Sequence, residues 1–264
     1  MTKSSSDPDA TPPARFGELF SQVADRYAAC RPGQPPAVIA YAASLAPRHR
    51  VAWDCATGNG QAAVGLAPSF ERVFATDASA SQIAHAVAHP RVEYRVAPAE
   101  ACGLPDASVD LVTVAQALHW FDLAAFYAEV VRVAAPGAAV VAWSYAEAIV
   151  DDPAIDALLR ALVRETLAPD WPPEIRLVQE GYRTIPFPFR EVAAPAFELT
   201  ASWTLDQLLG YARTWSAAVR HGQRTGRDAV ADAEPRFRRA WDDPAEPRVV
   251  RWPIVTRAGH CASR

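Results

Sequence analysis

The amino-acid sequence predicts an α/β fold, with a mostly parallel sheet of seven strands and helices on both faces. Between residues 50 and 145, short β-rich runs alternate with stretches of helical periodicity. Parallel strands joined by helical crossovers produce this alternation. Two further β-rich runs follow residue 190, which brings the total to seven. The predicted strands are residues 51–55, 72–76, 92–96, 109–115, 138–144, 197–203 and 248–256.

The helices are predicted from apolar spacing and from residues that begin or end helices. Ser79-x-x-Gln82 has the pattern of a capping box, and Asp122 precedes an apolar stripe at helical spacing. Proline is tolerated in a first turn and stops a helix beyond its end, which bounds a helix between Pro35 and Pro47. The predicted helices are residues 14–29, 35–46, 61–67, 79–88, 122–134, 154–167 and 205–219.

The chain is organised as a tail followed by one domain. Residues 1–13 are polar and rich in serine and proline, which predicts a disordered tail. Residues 14–264 form a single domain, in which the segments 14–46 and 147–190 interrupt or precede the strand–helix alternation. We expect these two segments to form a helical cap over the ligand-binding edge of the sheet.

Composition excludes several classes of protein. Of the 264 residues, 50% are hydrophobic and 21% are charged, which is ordinary for a globular protein. The formal net charge is −4, so the sequence does not predict the basic surface that binds nucleic acid. The sequence shows neither an apolar run long enough to span a bilayer nor the start of a secretory signal, so we expect a cytoplasmic protein without membrane partners. The four cysteines are far apart and lack histidines at ligand spacing, so neither a zinc site nor a disulfide framework is expected.

The most informative segment is the turn that follows the first predicted strand. Asp54, Gly58 and Gly60 lie where a β-rich run ends and a helix begins. Glycine at such a turn lets the backbone approach a ligand closely and lets N–H groups point at it. Asp77 ends the next β-rich run, about 20 residues downstream, where this topology places a carboxylate that accepts ribose hydroxyl protons. This geometry fits nicotinamide dinucleotides and S-adenosylmethionine alike.

Six motifs in order distinguish between these ligands. They are Asp54-x-x-x-Gly58-x-Gly60, Thr76-Asp77-Ala78-Ser79, Ala99-Glu100-x-x-x-Leu104-Pro105, Ser108-Val109-Asp110-Leu111-Val112, Gln116-Ala117-x-His119-Trp120-Phe121-Asp122 and Arg132-Val133-x-x-Pro136-Gly137. Together they resemble the type 11 class I methyltransferases, which have a Rossmann-like sheet and use S-adenosylmethionine. Within that family they are similar to the branch that contains trans-aconitate methyltransferase. The resemblance covers residues 15 to 145 well and the rest loosely.

The resemblance implies roles for individual residues. Asp54, Ala56, Gly58 and Gly60 would line the methionine moiety, and Asp77 would hold the ribose. The other implied contacts are Ala78 against the adenine, Ala99 and Glu100 at its polar edge, Gln116 and Ala117 facing the transferable methyl group, and Tyr27 and Arg31 closing over the cofactor. Ala56 departs from the family, since many relatives have glycine there.

His119 is the candidate catalytic residue, because it follows the fourth predicted strand on the side where open α/β sheets bind ligands. The acceptor is expected to be a small molecule with either a carboxylate or a hydroxyl. A hydroxyl would make a base useful, and an imidazole of ordinary pKa would then lose activity below about pH 6.5. An acidic acceptor would require arginines, for which Arg31, Arg213 and Arg220 are candidates by residue type.

Two alternatives remain open at this stage. A nicotinamide-dependent oxidoreductase would share the fold and Asp77, although Ala56 and Ala63 occupy the outer glycine positions of its motif. A non-catalytic protein that binds an adenosyl ligand would share the binding residues.

Overall fold

A computed structural model describes residues 33–262 of the chain. The predicted tail 1–13, the predicted helix 14–29, and the candidate cofactor residues Tyr27 and Arg31 lie outside the described residues. The helices within the described range are α1 (Pro36–Leu45), α2 (Gln61–Leu66), α3 (Ala80–Ala84), α4 (Leu123–Val133), α5 (Pro153–Ala161), α6 (Ile175–Gln179), α7 (Leu205–Arg213), α8 (Ser216–Thr225) and α9 (Ala229–Trp241).

The strands form one sheet. They are β1 (Val51–Cys55), β2 (Arg72–Asp77), β3 (Val92–Val96), β4 (Val109–Ala115), β5 (Ala134–Tyr145), β6 (Ile149–Val150), β7 (Arg190–Glu191), β8 (Phe197–Trp203) and β9 (Arg248–His260). The order begins β3-β2-β1-β4-β5-β9, with the first five strands parallel and β9 antiparallel to β5. Arg251 of β9 faces Ile149 of β6 and Thr200 of β8, so these two strands flank opposite edges of β9.

The predicted α/β architecture is confirmed, including all seven predicted strands. The two strands absent from the prediction, β6 and β7, have two residues each and carry no periodic signal of their own. Strands β5 and β9 both extend beyond their predicted bounds, β5 to Ala134 and β9 to His260.

Several helices differ from the prediction: α5 ends at Ala161 rather than at residue 167, and the short helix α6 was not predicted. Helix α3 ends at Ala84 rather than at residue 88, although Ser79 does cap it by accepting a hydrogen bond from the backbone N–H of Gln82. The predicted helix 205–219 is two helices, since α7 ends at Arg213 and α8 begins at Ser216. Helix α9 was not predicted. Its sequence is polar apart from a narrow apolar face, and it carries Pro235 in its interior.

The core has one layer on each face of the sheet, because side chains alternate along each strand. On β5, Val141 and Trp143 pack with α1, α2 and the helices after residue 150, whereas Val140 and Ala142 pack with α4. Asp122 begins α4 by accepting hydrogen bonds from the N–H groups of Ala124 and Ala125. Both faces are therefore covered, and the carboxyl ends of β1 to β5 are left to form a site.

Within residues 33–262, no helix combines the length and the apolar character required to cross a bilayer.

Candidate active site and cofactor crevice

The turn after β1 runs through three residues in the left-handed region, with φ of 54° at Ala56, 57° at Gly58 and 87° at Gly60. A Cβ added at Gly58 would make one ordinary van der Waals contact, with Gln82 Oε1 at 3.8 Å. A side chain at Gly60 would instead overlap the ring of Tyr94. Gly58 therefore leaves room above the turn, whereas Gly60 allows the turn to pack on β3.

Asp54 lies beneath this turn and is fully buried. Its carboxylate accepts hydrogen bonds from the hydroxyls of Thr57 at 2.5 Å and Thr113 at 2.7 Å. Burial raises the pKa of Asp54 to about 6, and the two hydroxyls oppose that rise. Since each oxygen accepts one of these bonds, Asp54 links Thr57 of the turn to Thr113 of β4.

Asp77 lies at the carboxyl end of β2 and is partly exposed. Its two oxygens accept hydrogen bonds from the backbone N–H groups of Gly58 at 2.9 Å and Ser79 at 2.8 Å. Burial raises the pKa of Asp77 despite these bonds. Each carboxylate oxygen can accept more than one hydrogen bond, so Asp77 retains capacity for the hydroxyls of a ligand.

The remaining candidate cofactor residues follow the next strand ends. Ala78 is exposed after β2, Ala99 and Glu100 are partly buried after β3, and Ala117 is buried after β4. The carboxyl ends of β1 to β4 therefore bring together every described residue that the sequence predicts to bind the cofactor. Among residues 33–262, no cluster of three or more histidine, cysteine or acidic side chains is arranged to hold a metal ion.

A cavity of about 490 Å³ opens beyond the ends of β4 and β5. Most of its walls are aromatic or aliphatic, and the segment after β5 contributes Leu159, Val163, Trp171, Ile175 and Val178. Tyr211 and Trp215 come from α7 and the turn that follows it. Helix α1 packs beside α2 and is not part of these walls. This volume and this character are typical of a pocket for a small organic molecule.

Polar groups gather at the sheet end of this cavity. Gln116 is held at φ 62° directly after β4, and its Oε1 accepts a hydrogen bond from Ser144 at 2.8 Å. Its Nε2 is buried without a hydrogen-bond partner among the described residues. His119 Nδ1 lies 2.9 Å from the hydroxyl of Tyr182. A buried donor that lacks a partner marks a place where a ligand oxygen would be stabilised.

His119 is 7% exposed, and its ring lies 4.6 Å from that of Trp120. Burial lowers its pKa to about 3. The expectation that its charge would change near pH 6.5 is therefore wrong, because the imidazole stays neutral from pH 5 upwards.

Charged side chains are few around the cavity. Among its described lining residues, the only charged ones are Glu147 and Arg164, which pair with each other at 2.9 Å. Arg213 pairs with Asp228 and Glu234 and does not line the cavity, and neither does Arg220. Arg31 lies outside the described residues.

Sequence reasoning missed several residues of this site. Three of them come from distant parts of the chain and line the cavity, namely Ser144, Trp171 and Trp215. A fourth, Tyr182, contacts His119 through its hydroxyl. Tyr182 has φ 57°, which is rare for a bulky residue, but no sequence pattern marks that strain.

Comparisons with known proteins agree with this geometry. The profile of the methyltransferase domain family matches residues 53–142. A protein of Anaeromyxobacter dehalogenans, assigned as a type II methyltransferase, is 49% identical with a TM-score of 0.83 over 89% of this chain and 99% of its own. A Dictyostelium discoideum protein, assigned as a methyltransferase, is 29% identical over 87% of this chain and 88% of its own.

A third comparison shows the fold alone. Haemonchus contortus phosphoethanolamine N-methyltransferase 2, solved with S-adenosylhomocysteine, is 13% identical with a TM-score of 0.50 over 97% of this chain and 61% of its own. The family match and the relatives of 49% and 29% identity define an α/β methyltransferase. The chain belongs to the class I S-adenosylmethionine-dependent methyltransferases. The oxidoreductase alternative has no support among these relatives.

Proposed function

We propose that this methyltransferase transfers its methyl group to a hydroxyl of a neutral, largely apolar small molecule. The observation that carries the proposal is the cavity beyond β4 and β5. Its walls are mostly aromatic and aliphatic, and its one described ion pair, Glu147 with Arg164, leaves no net charge. A neutral His119 and the unpartnered Nε2 of Gln116 stand at the end nearest the sheet.

The cofactor residues of this proposal are those of the strand ends. Asp77 would accept hydrogen bonds from the ribose hydroxyls, Gly58 would leave space for the methionine moiety, and Ala78, Ala99 and Glu100 would surround the adenine. The uncrowded surroundings of Gly58, where an added Cβ would touch only Gln82 Oε1, and the remaining capacity of the Asp77 carboxylate fit such a ligand. Tyr27 and Arg31 remain predictions from the sequence, as do the two cap segments.

Methyl transfer requires alignment of the acceptor, removal of water and, for a hydroxyl, removal of a proton. Bound S-adenosylmethionine would supply the methyl group from a positively charged sulfonium and would leave as neutral S-adenosylhomocysteine. The apolar walls exclude water and orient the acceptor. His119 accepts the hydroxyl proton as the oxygen–methyl bond forms, because its low pKa makes it too weak a base to ionise the free hydroxyl beforehand, whereas the methylated oxygen is far more acidic.

The similarity to the trans-aconitate methyltransferase branch suggests a second candidate, an organic acid methylated on a carboxylate. Recognition of a polyanion calls for several cations in the pocket. Arg164 is the only cation among the described lining residues, and Glu147 already neutralises it. The hydroxyl acceptor is therefore the candidate that we favour.

A substrate panel tests the proposal. Release of S-adenosylhomocysteine is measured with neutral phenols and alcohols, and in parallel with di- and tricarboxylates. We expect turnover of neutral hydroxyl compounds. Turnover restricted to polycarboxylates would contradict the proposal.

Arg164→Gln provides a second measurement. For a neutral acceptor we expect little change in the KM, whereas an acceptor gripped by this arginine would lose about 10-fold or more in affinity. Arg213→Gln is a matched control, since Arg213 forms its ion pairs outside the cavity. A large rise in the acceptor KM for Arg164→Gln alone would favour the organic acid.

A further inference from the structure

A buried carboxylate lies next in sequence to a residue that lines the cavity beyond β4 and β5. Asp170 ends the helical turn Ala168–Asp170, and its side chain is 3% exposed. Two nitrogens of the Arg224 guanidinium donate to its oxygens at 2.7 and 2.8 Å, and Nδ1 of His221 lies 2.9 Å from one of them. The hydrogen bonds from Arg224 lower the pKa of Asp170 to about 2. The carboxylate is therefore ionised and can only accept, so His221 Nδ1 is the donor.

Both partners of Asp170 lie on helix α8, 51 and 54 residues further along the chain. Ala217, His221 and Arg224 recur at i, i+4 and i+7, so they share one face of this helix. Ala217 is the only buried side chain of α8, all of which the structure describes, and a glycine at position 222 weakens the helix itself. One methyl group buries little apolar surface. The main attachment of α8 is therefore its pair of charged contacts with Asp170.

The two segments that this attachment joins continue into one wall of the cavity. Trp171 follows Asp170 directly, and Trp215 precedes α8. Both line the cavity, with ring centroids 5.9 Å apart and ring planes at 43°, and together they are called the tryptophan wall. The indole N–H of Trp171 donates to the carbonyl of Val163 at 3.0 Å, which fixes the first ring. The second ring lies at the start of α8, so its position relative to the first depends on how α8 is held against the turn.

We propose that Asp170, His221 and Arg224 are positioning residues that hold the tryptophan wall in place, and that this wall determines which acceptors fit the cavity. The inference rests on the proposed function in one respect, namely that the cavity holds the methyl acceptor. None of the three is among the described lining residues of the cavity. They act through Trp171 and Trp215 and do not touch the acceptor.

The consequence of breaking the attachment follows from the burial of Asp170. A buried carboxylate that loses its guanidinium partner is strongly destabilised. Helix α8 should then move away from the turn and let water reach Asp170. The tryptophan wall would become ordered only when an acceptor binds, and the ordering of side chains on binding lowers affinity. The cofactor crevice at the ends of β1 to β4 is built from other elements, so its affinity should be preserved.

Hydrogen exchange followed by mass spectrometry tests the attachment without any acceptor. In Arg224→Gln and in Asp170→Asn, we expect the amides of residues 163–171 and 216–225 to exchange about 10-fold faster than in the wild type. The Arg224 side chain is 54% exposed, so its substitution leaves no cavity in the core and the variant should fold. Arg224→Lys keeps the charge but not the two parallel hydrogen bonds, and its exchange rate should be intermediate.

Arg227→Gln is the matched control. Arg227 follows Arg224 by three residues and pairs with Asp232 of α9 at 3.0 Å, so the substitution removes an ion pair that does not reach the turn. Exchange in residues 163–171 should stay as in the wild type. Unchanged exchange of α8 in both Arg224→Gln and Asp170→Asn would overturn the inference, and so would equally fast exchange in the control.

Kinetics tests the role of the wall in acceptor recognition. With a hydroxyl acceptor, Arg224→Gln should raise the acceptor KM by about 10-fold, with kcat and the affinity for S-adenosylhomocysteine close to those of the wild type. The ratio of kcat/KM for a bulky acceptor to that for a small one should rise, because a loosened wall yields to the larger molecule. The double variant of Asp170→Asn and Arg224→Gln should have a KM no higher than the worse single variant, since both changes remove one interaction.

The two measurements separate this inference from the proposed function. An unchanged KM despite faster exchange of α8 would refute the positioning role and leave the proposed function intact. A parallel loss of kcat and of affinity for S-adenosylhomocysteine would refute it as well, because a general loss of structure has that effect. Failure of every hydroxyl compound to react would refute the proposed function, while the exchange rates would still decide whether Asp170 holds α8.

Discussion

The buried carboxylate of Asp54 makes a prediction about stability that can be worked out from the structure. Asp54 is fully buried, and its partners are neutral groups, two hydroxyls and the backbone N–H of Ala63, rather than cations. Burial raises its pKa from 3.8 to about 6. At 1.36 kcal/mol for each pH unit, that rise means that ionisation in the folded state costs about 3 kcal/mol more than in the unfolded state.

The sign follows from proton binding. Between the two pKa values the folded protein binds the proton of Asp54 while the unfolded chain has released it, so stability falls as the pH rises. The stabilisation that protonated Asp54 provides is complete below the pKa of Asp54 in the unfolded state. It is lost above the pKa of Asp54 in the folded state. Asp54→Asn removes this dependence, because an amide does not ionise.

The assay is urea unfolding followed by tryptophan fluorescence, for the wild type and Asp54→Asn at several pH values. From pH 4.5 to pH 8, the stability of the variant relative to the wild type should rise by about 2 kcal/mol, because the unfolded group is already largely ionised at pH 4.5. This comparison cancels the other titrating groups, which both proteins share.

Thr113→Val sharpens the test. It removes a hydroxyl that donates to Asp54 at 2.7 Å, so the pKa of Asp54 should rise further and the loss of stability with pH should become larger. A stability difference between wild type and Asp54→Asn that stays constant over the whole range would refute the reasoning.

Three other predictions concern the cofactor turn and the acceptor pocket. Asp77→Ala should weaken S-adenosylhomocysteine binding by about 1.5 to 3 kcal/mol, with Asp77→Asn milder, as measured by calorimetry. If both variants fold and bind like the wild type, Asp77 does not hold the ribose. Ala56→Gly should raise the free energy of unfolding by about 1 kcal/mol, because Ala56 has φ 54° and glycine accepts that conformation without strain. A less stable variant would mean that the methyl group of Ala56 contributes packing that outweighs the strain. The kcat of the wild type should be unaffected by imidazole ionisation from pH 5 to 9, since burial lowers the pKa of His119 to about 3. A loss of activity centred near pH 6.5 and absent in His119→Gln would contradict that burial.

Much of the fold was readable from the sequence because its signals are local. The strand of residues 109–115 and the strand of residues 197–203 are bounded as predicted, since each combines β-branched or aromatic residues with flanking breakers. Helix α9 was missed because tertiary packing of Val230, Phe237 and Trp241 outweighs an interior proline and a polar sequence.

The sequence by itself determined the strand–helix alternation, the glycine turn after β1 and the acidic residue at the end of β2, because each depends on neighbours in the chain. Only the tertiary structure decided the environment of His119. Its partner Tyr182 lies 63 residues away, and the walls of its pocket come from α7 and the segment after β5. A pKa is set by burial and by the hydrogen-bonding groups that surround a side chain, and those surroundings exist only once distant segments have packed together.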